Sequence, residues 1–327
     1  MIYLVTGVAG FIGFHVARAL LDRGETVVGV DDLNPYYAVE LKHRRLAEIR
    51  DRPNFSFRQV DIADPAAVRA ALAGVAITHI VHLAAQAGVR HSLQRPEAYV
   101  ASNLVGHVTM LELARGLEGL RSMTYASSSS VYGGNTTLPF RESDRVDQPL
   151  SLYAATKKAD ELMSHSYAHL FRLPLTGLRF FTVYGEWGRP DMAMWLWTEA
   201  ILAGRPITLF NGGDMLRDFT HVDDVVRGVL AVTDAPPADD GGSAPHRLYN
   251  IGNHRPEPLA FLIDLLEKAT GRQAIRRTAP MQPGDVPATF ADIDAITRDH
   301  GFCPAIPLEE GVPRFVRWFR NYHRLGD

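Results

Sequence analysis

The sequence has almost no cysteine: Cys303 stands alone among 327 residues. One thiol excludes an intrachain disulfide and leaves a thiolate zinc cluster short of ligands. It also argues against a secreted, disulfide-built scaffold. Long hydrophobic runs are missing too, and none approaches the ~20 residues that a spanning helix needs. The first apolar segment starts at Ile2 and breaks at Gly7, shorter than the core of a secretory leader. An excess of either charge is also missing, with 34 Lys and Arg against 37 Asp and Glu. The formal net charge is −3, so composition recommends neither nucleic acid nor an anionic membrane as a partner. No internal repeat is present. What remains is ordinary for a globular chain, with 46% hydrophobic and 22% charged residues. The length is more than one core usually organises, so a large domain with a smaller second lobe is expected. The expected location is the cytoplasm, and no metal site is expected.

The opening is rich in signal. Ile2–Thr6 is short and mostly apolar, as suits a buried parallel strand. It runs into Gly7-Val8-Ala9-Gly10-Phe11-Ile12-Gly13, then a helix-like segment, Phe14 to Arg23, that stops at Gly24. Thr26 to Val30 reads as a second strand and ends in Asp31-Asp32. Strand, glycine turn, helix, strand and an acid about 20 residues on form a dinucleotide-binding pattern. Glycines let the backbone approach a pyrophosphate, and a helix N-terminus offers it free N–H groups. The acid accepts from the adenosine ribose hydroxyls and repels a 2′-phosphate, which favours NAD over NADP. The spacing here is GxxGxxG.

Strands and helices go on alternating. Phe55–Val60, His79–Leu83 and Met123–Ala126 read as strands; Pro65–Ala73 and Pro96–Arg115 read as helices. This implies a doubly wound α/β fold, a parallel sheet with helices on both faces and ligands beyond the strands' carboxyl ends. Asp31, Asp61, Ala84 and Ser127 all fall at such ends. Asp61 has two readings, a contact to the adenine amino group or a strand-end cap. Arg90 and His91 follow the Ala84–Gly88 loop, where Arg90 is a candidate for an anionic group.

Tyr153 and Lys157 open a helical run that ends at Arg172. Four apart on a helix, they share a face. An ammonium beside a phenol favours the phenolate, which lets tyrosine act as a base near neutral pH. The serine run Ser127-Ser128-Ser129-Ser130 follows a predicted strand on the same side and can share a substrate proton. Beyond Arg172, Leu175–Phe181 is one more strand. Glycine and proline then rise. Ile207–Phe210 and Met215–Phe219 flank Asn211–Asp214 in a hairpin or loop. Val222–Thr233, Pro258–Thr270 and Leu308–Arg324 read as helices, and Asp234–Pro245 as an irregular loop.

Taken together, GxxGxxG, the serine run and YxxxK resemble the extended short-chain dehydrogenase/reductase family, specifically its nucleotide-sugar epimerases and dehydratases. Arg179–Gly185, Gly188–Ala193 and Met281–Val286 are similar to the UDP-glucuronate 4-epimerase subfamily. UDP-glucose 4-epimerases usually carry Asn in place of Thr182 and Arg in place of Gln282. UDP-xylose synthases carry Glu in place of Ser130. The runner-up readings are those two enzymes and, from another class, a non-catalytic NAD-binding sensor.

The resemblance implies a Rossmann-like NAD-binding domain over residues 1–181, with returns from about 217–252. Residues 182–327 would mainly form a UDP-sugar lobe. It implies cofactor contacts at Gly7, Gly10, Phe11, Ile12, Gly13, Asp31, Asp32, Asn34, Asp61, Ile62, Leu83, Ala84, Ala85, Gln86 and Asn103, with Tyr153 and Lys157. It implies that Tyr153 takes the sugar 4-hydroxyl proton, that Lys157 favours the phenolate and bonds the nicotinamide ribose, and that Ser128 holds the family's catalytic Ser/Thr place. The 4-keto uronic acid is a β-keto acid prone to lose CO2, so its carboxylate needs a hydrogen-bonded home. Ser127, Ser128, Ser129 and Thr182 are candidates, with Arg90 or Arg189 as a cationic partner. Arg217 and Arg189 suit the diphosphate, Phe210 the uracil and Asp285 the uridine ribose. A homodimer built on Pro96–Arg115 and Tyr153–Arg172 is expected.

Overall fold

The computed structural model describes residues 1–282 and 284–326. Pro283, inside the Met281–Val286 stretch read above, lies outside the described residues. Seven parallel strands form the main sheet: β1 (Ile2–Thr6), β2 (Thr26–Asp31), β3 (Phe55–Gln59), β4 (His79–His82), β5 (Ser122–Ser128), β6 (Leu175–Phe180) and a seventh from the second half of the chain. Two small sheets use β7 (Thr182–Tyr184), β8 (Ile207–Phe210), β9 (Leu216–His221), β11 (Pro256–Pro258) and β12 (Arg276–Ala279). The seventh strand, β10 (His246–Ile251), pairs with β6 at the sheet's edge, so the chain returns to the main sheet. The main order is β10-β6-β5-β4-β1-β2-β3. The order reverses between β1 and β4, and ligands bind at such a switch point.

Helices cover the sheet: α1 (Phe11–Asp22), α2 (Val39–Arg50), α3 (Pro65–Ala71), α4 (Pro96–Tyr99), α5 (Gly106–Gly116) and α6 (Leu152–Phe171). Further on come α7 (Ala193–Leu202), α8 (Val222–Asp234), α9 (Leu259–Thr270), α10 (Asp294–His300) and α11 (Leu308–His323). β1 is a near-continuous apolar strand because both faces are covered, and Tyr3, Leu4 and Val5 have no exposure. α6 starts where Ser151 accepts from the Ala154 N–H at 3.1 Å, which satisfies one orphan donor of its first turn. No helix of the described residues is long and apolar enough to cross a membrane, and none of their His, Cys, Asp and Glu side chains cluster as a metal site.

Two expectations are corrected, one open choice is settled in favour of a loop, and one helix is added. The single helix read over Pro96–Arg115 is α4 and α5 joined by a π-helical stretch, Val100–Val105. α1 begins at Phe11, three residues earlier than its apolar spacing indicated. The strands flanking Asn211–Asp214 do not form a hairpin: β8 pairs with β12, and β9 pairs with β7 and β11. α2 had no counterpart in the sequence reading.

Candidate active site

The switch point carries the glycine loop. Gly7 has φ +70°, and a Cβ there would lie 2.8 Å from the Ala84 backbone nitrogen. A Cβ on Gly13 would lie 2.1 Å from the Gly7 carbonyl oxygen. The loop is therefore folded tightly on itself and on the end of β4. Gly10 precedes α1 with no side-chain cap, so the first N–H groups of the helix stay free for an anion. Asp31, at the end of β2, accepts from Ala9 N–H at 3.0 Å and Leu33 N–H at 2.8 Å. Burial pushes its carboxyl up from the ordinary value, against the pull of Lys42. Asp32 accepts from Asn34 N–H at 2.8 Å. The free helix end, the close backbone approach and the carboxylate fit a dinucleotide.

A cavity of about 390 Å³ runs from this loop across the ends of β1, β4 and β5. Of the cofactor residues read from sequence, Gly7, Gly10, Phe11, Ile12, Gly13, Asp31, Asp32, Asn34, Asp61, Ile62, Leu83, Ala84, Ala85 and Gln86 line it. Asp61 also accepts from Ala63 N–H at 2.8 Å, so it turns the strand end as well as facing the cavity. Asn103 is not in the wall. Its amide accepts from Gln86 N–H at 2.8 Å and donates to Gln86 O at 3.1 Å and Thr156 Oγ1 at 3.0 Å. It holds the Gln86 peptide, which does line the cavity.

Tyr153 and Lys157, on the first turns of α6, line the same cavity with Ser127, Ser128, Ser129 and Thr182. Lys157 is buried, and its Nζ donates to Ala126 O and Asp160 Oδ2, each at 3.0 Å. The Tyr99 ring stands edge-on to Tyr153 at 6.1 Å. Ser128 Oγ accepts from Ser130 N–H at 3.2 Å. Ser127 has a second engagement beside its place in the wall. Its hydroxyl donates to Glu161 Oε1 at 2.7 Å, and Glu161 holds Arg179 through contacts of 2.8 and 3.0 Å. Ser127 and Ser128 are consecutive in β5, so their side chains leave on opposite faces of the strand, although both residues border the cavity. Burial pushes Glu161 up, but Arg179 and Ser127 outweigh it and hold the carboxyl below its usual range.

The candidate substrate residues divide. Arg189 lines the cavity, its guanidinium paired with Asp191 at 2.6 and 3.0 Å. Arg90, Phe210, Arg217 and Asp285 are outside that wall. The Arg90 guanidinium lies 4.5 Å from the Phe210 ring centroid and 3.0 Å from Asp285. Arg217 donates to the carbonyls of Leu216 and Pro287. Burial pulls it below its ordinary value, with Asp285 opposing. This second group borders the cavity where a Cβ on Gly284 would reach Val89 at 2.8 Å.

Sequence reasoning missed Lys42, Arg45 and Tyr36. Lys42 lines the cavity 3.8 Å from Asp31. Tyr36 donates to Asp191 at 2.9 Å. Arg45 has no exposure, and its guanidinium donates to the carbonyls of Ala9, Trp187 and Gly188 and to the Tyr37 hydroxyl. It ties the glycine loop to the loop that precedes Arg189.

The NAD dependent epimerase/dehydratase family matches residues 3–252. The chain belongs to this family. Among its relatives, a probable UDP-glucuronate 4-epimerase of Rhizobium meliloti (strain 1021) is 48% identical, covering 99% of this chain and 98% of the relative. The UDP-glucuronic acid 4-epimerase of Bacillus cereus, solved with UDP-glucuronic acid and NAD, is 31% identical with a TM-score of 0.89, covering 98% of this chain and 100% of that one. The UDP-glucose 4-epimerase of Thermotoga maritima, solved with UDP-glucose, is 30% identical with a TM-score of 0.88, covering 99% of this chain and 100% of that one. Two family members with different sugars share this architecture almost equally, so the fold does not choose the sugar.

Proposed function

We propose that the protein interconverts UDP-glucuronate and UDP-galacturonate through a transient 4-keto sugar, with a retained NAD and without loss of CO2. One observation carries the reading: the glycine loop, Tyr153 with Lys157, and the positions of Ser128, Ser129 and Thr182 share one cavity. Likeness along the whole chain to named UDP-glucuronate 4-epimerases supports the choice of sugar.

NAD, when bound, supplies a reversible hydride acceptor for C4 of the sugar. The free first turn of α1 would hold its diphosphate, and Asp31 its adenosine ribose. Tyr153 takes the 4-hydroxyl proton and later returns it. Lys157 stands one helical turn away and favours the phenolate. Ser128 shares the proton at the sugar oxygen. Ser128, Ser129 and Thr182 offer hydroxyl donors to the uronate carboxylate, keeping it out of the alignment that releases CO2. Arg189, one of the cations in the cavity wall, would serve the diphosphate end. Phe210, Arg217 and Asp285 form the nucleoside end, with Arg90 moving off the Phe210 ring.

The division of labour follows the sequence: residues 1–181 with a return over about 217–252 for NAD, and 182–327 mainly for the UDP-sugar. A second copy would dock on α6 and on α5 with the π-helical stretch before it, where Val105 is 44% and Leu162 60% exposed beside a groove lined by Leu104, Val108 and Met163. The setting is the cytoplasm.

The test is incubation of the purified protein with UDP-glucuronate, without added NAD, followed by NMR. UDP-galacturonate rising to a plateau is expected. A UDP-pentose with released CO2 would make it a decarboxylase. No turnover even with added NAD would discard uronic-acid chemistry.

A further inference from the structure

Lys157 does not stand alone behind Tyr153. Its ammonium has three N–H donors. Two are committed, to Ala126 O and to Asp160 Oδ2, each at 3.0 Å. One donor is left for the cavity that Lys157 lines. The direction of that donor is therefore set from behind. Asp160 sits one turn further along α6, has no exposure and does not reach the cavity wall.

Two features separate Asp160 from an ordinary packing residue. Its second oxygen, Oδ1, is buried and has no hydrogen-bond partner among the described residues. A carboxylate kept only to brace the fold would be expected to use both oxygens. It is also the one acidic group paired with Lys157 among the described residues. Glu161, next on the same helix, is engaged by Arg179, Ser127 and Lys158.

The other titratable groups around this spot come from four strands and one helix. They are His82 on β4, Tyr125 on β5, Arg179 on β6, His246 on β10 and His107 on α5. Burial holds His82 down to about 3, His246 down to about 4 and His107 well below its ordinary value. Burial likewise holds Tyr125 well above its own. All four stay uncharged near neutral pH. Burial also pushes Asp160 up to about 6, against the Lys157 charge.

We propose that Asp160 is a positioning residue that fixes the direction and charge of Lys157 and so sets the pH window of the acid–base step, without touching sugar or cofactor. This rests on the Tyr153–Lys157 reading above. The physical sign is definite. A buried ammonium with a carboxylate at contact is stabilised in its charged form, and part of its field on the neighbouring phenol is cancelled. Without the carboxylate, the ammonium gives up its proton more readily and, while charged, acts on the phenol undiminished. Both effects move the working range toward acid.

The experiment is a pH profile of kcat/KM for UDP-glucuronate epimerisation by the holoenzyme, with NAD content measured for each protein. In Asp160→Asn, which keeps an acceptor but loses the charge, both limbs of the bell are expected to move down by about one pH unit. Asp160→Ala should show the same shift and a further fall in kcat, since Lys157 also loses an orienting acceptor. Asp160→Glu should restore the limbs toward those of the native protein. Limbs that stay put in a folded, NAD-loaded Asp160→Asn, whatever their height, would overturn the proposal. If Asp160→Asn folds but is inactive at every pH, recovery in Asp160→Glu supports the role of charge, and equal inactivity overturns it. A native protein that does not epimerise, or a Tyr153→Phe variant that does, would instead remove the underlying reading.

Discussion

Asn103 closes its whole amide on the peptide of Gln86, accepting the N–H at 2.8 Å and donating to the carbonyl at 3.1 Å. Its second N–H reaches Thr156 Oγ1, which donates in turn to Tyr153 O at 2.8 Å. The cofactor wall and the helix of the proposed base are thus held at one distance. Asn103→Asp replaces the amide nitrogen and its two N–H donors with one oxygen acceptor that faces the Gln86 carbonyl and the Thr156 hydroxyl. A buried group left unpaired costs about 1–3 kcal/mol. Cofactor retention should therefore weaken by about tenfold or more. The check is NAD released per protein on heat denaturation, and full occupancy in a folded variant would contradict it.

Tyr153→Phe should remove the acid–base group and leave the cavity's shape intact. Epimerisation should fall by about 10²–10⁴-fold, the range of general acid–base catalysis. NAD content and thermal midpoint should match the native protein. A variant that stayed active would show that the proton goes elsewhere.

Neighbouring serines should behave differently. Ser127→Ala strips a donor from buried Glu161 and disturbs its pairing with Arg179, so it should lower stability by about 1–2 kcal/mol. Ser128→Ala should leave the urea midpoint nearly unchanged and lower kcat. The pair of measurements is informative because the exchange of outcomes would place the proton-sharing hydroxyl at Ser127.

Acid should loosen the fold early. Burial holds His15 and His82 down to about 3 and His246 down to about 4. In the unfolded chain each titrates near ~6.5. Their depressed native values mean that the unfolded state takes up more protons, so this stability is present above ~6.5 and lost as pH falls, by up to about 1.4 kcal/mol per unit for each group. Asp160 and Asp218 oppose this. Burial raises both to about 6, so the folded state gains as pH falls through that value. Between pH 7 and 6 the histidines should prevail, and the urea midpoint should drop. His82→Gln should make the drop shallower. A midpoint that rises over this interval would refute the assignment.

The dinucleotide half was legible because its demands fall on backbone and on single positions. Only glycine fits where a Cβ would sit 2.1 Å from the Gly7 carbonyl, and Asp31 ends its strand in plain sight. α2 was hidden for a physical reason. It buries Lys42 and Arg45 beside Leu41, Leu46 and Ile49, so charged side chains occupy inward positions and the apolar period is broken. The π-helical stretch carrying Asn103 keeps nearly the same spacing as its neighbours, and no residue type announces it. The bond from Ser127 to Glu161 was not legible because the serines read as a run rather than as strand positions that alternate. The proposed nucleoside end was named from resemblance, and Arg90 over Phe210 was invisible in sequence, since no local pattern brings those two together.

Arg45 has a consequence for how the protein lives among its metabolites. Its guanidinium lies beneath both rims of the cavity and holds the carbonyls of Ala9, Trp187 and Gly188 at once. Prising the rims apart would strip those acceptors together, where water cannot replace them. On the proposed reading the dinucleotide is a resident, not a visitor. The molecule then takes no part in the cell's traffic of free NAD and NADH. Its output answers to the concentrations of two sugar nucleotides and halts at their equilibrium ratio, however oxidised or reduced the surroundings become.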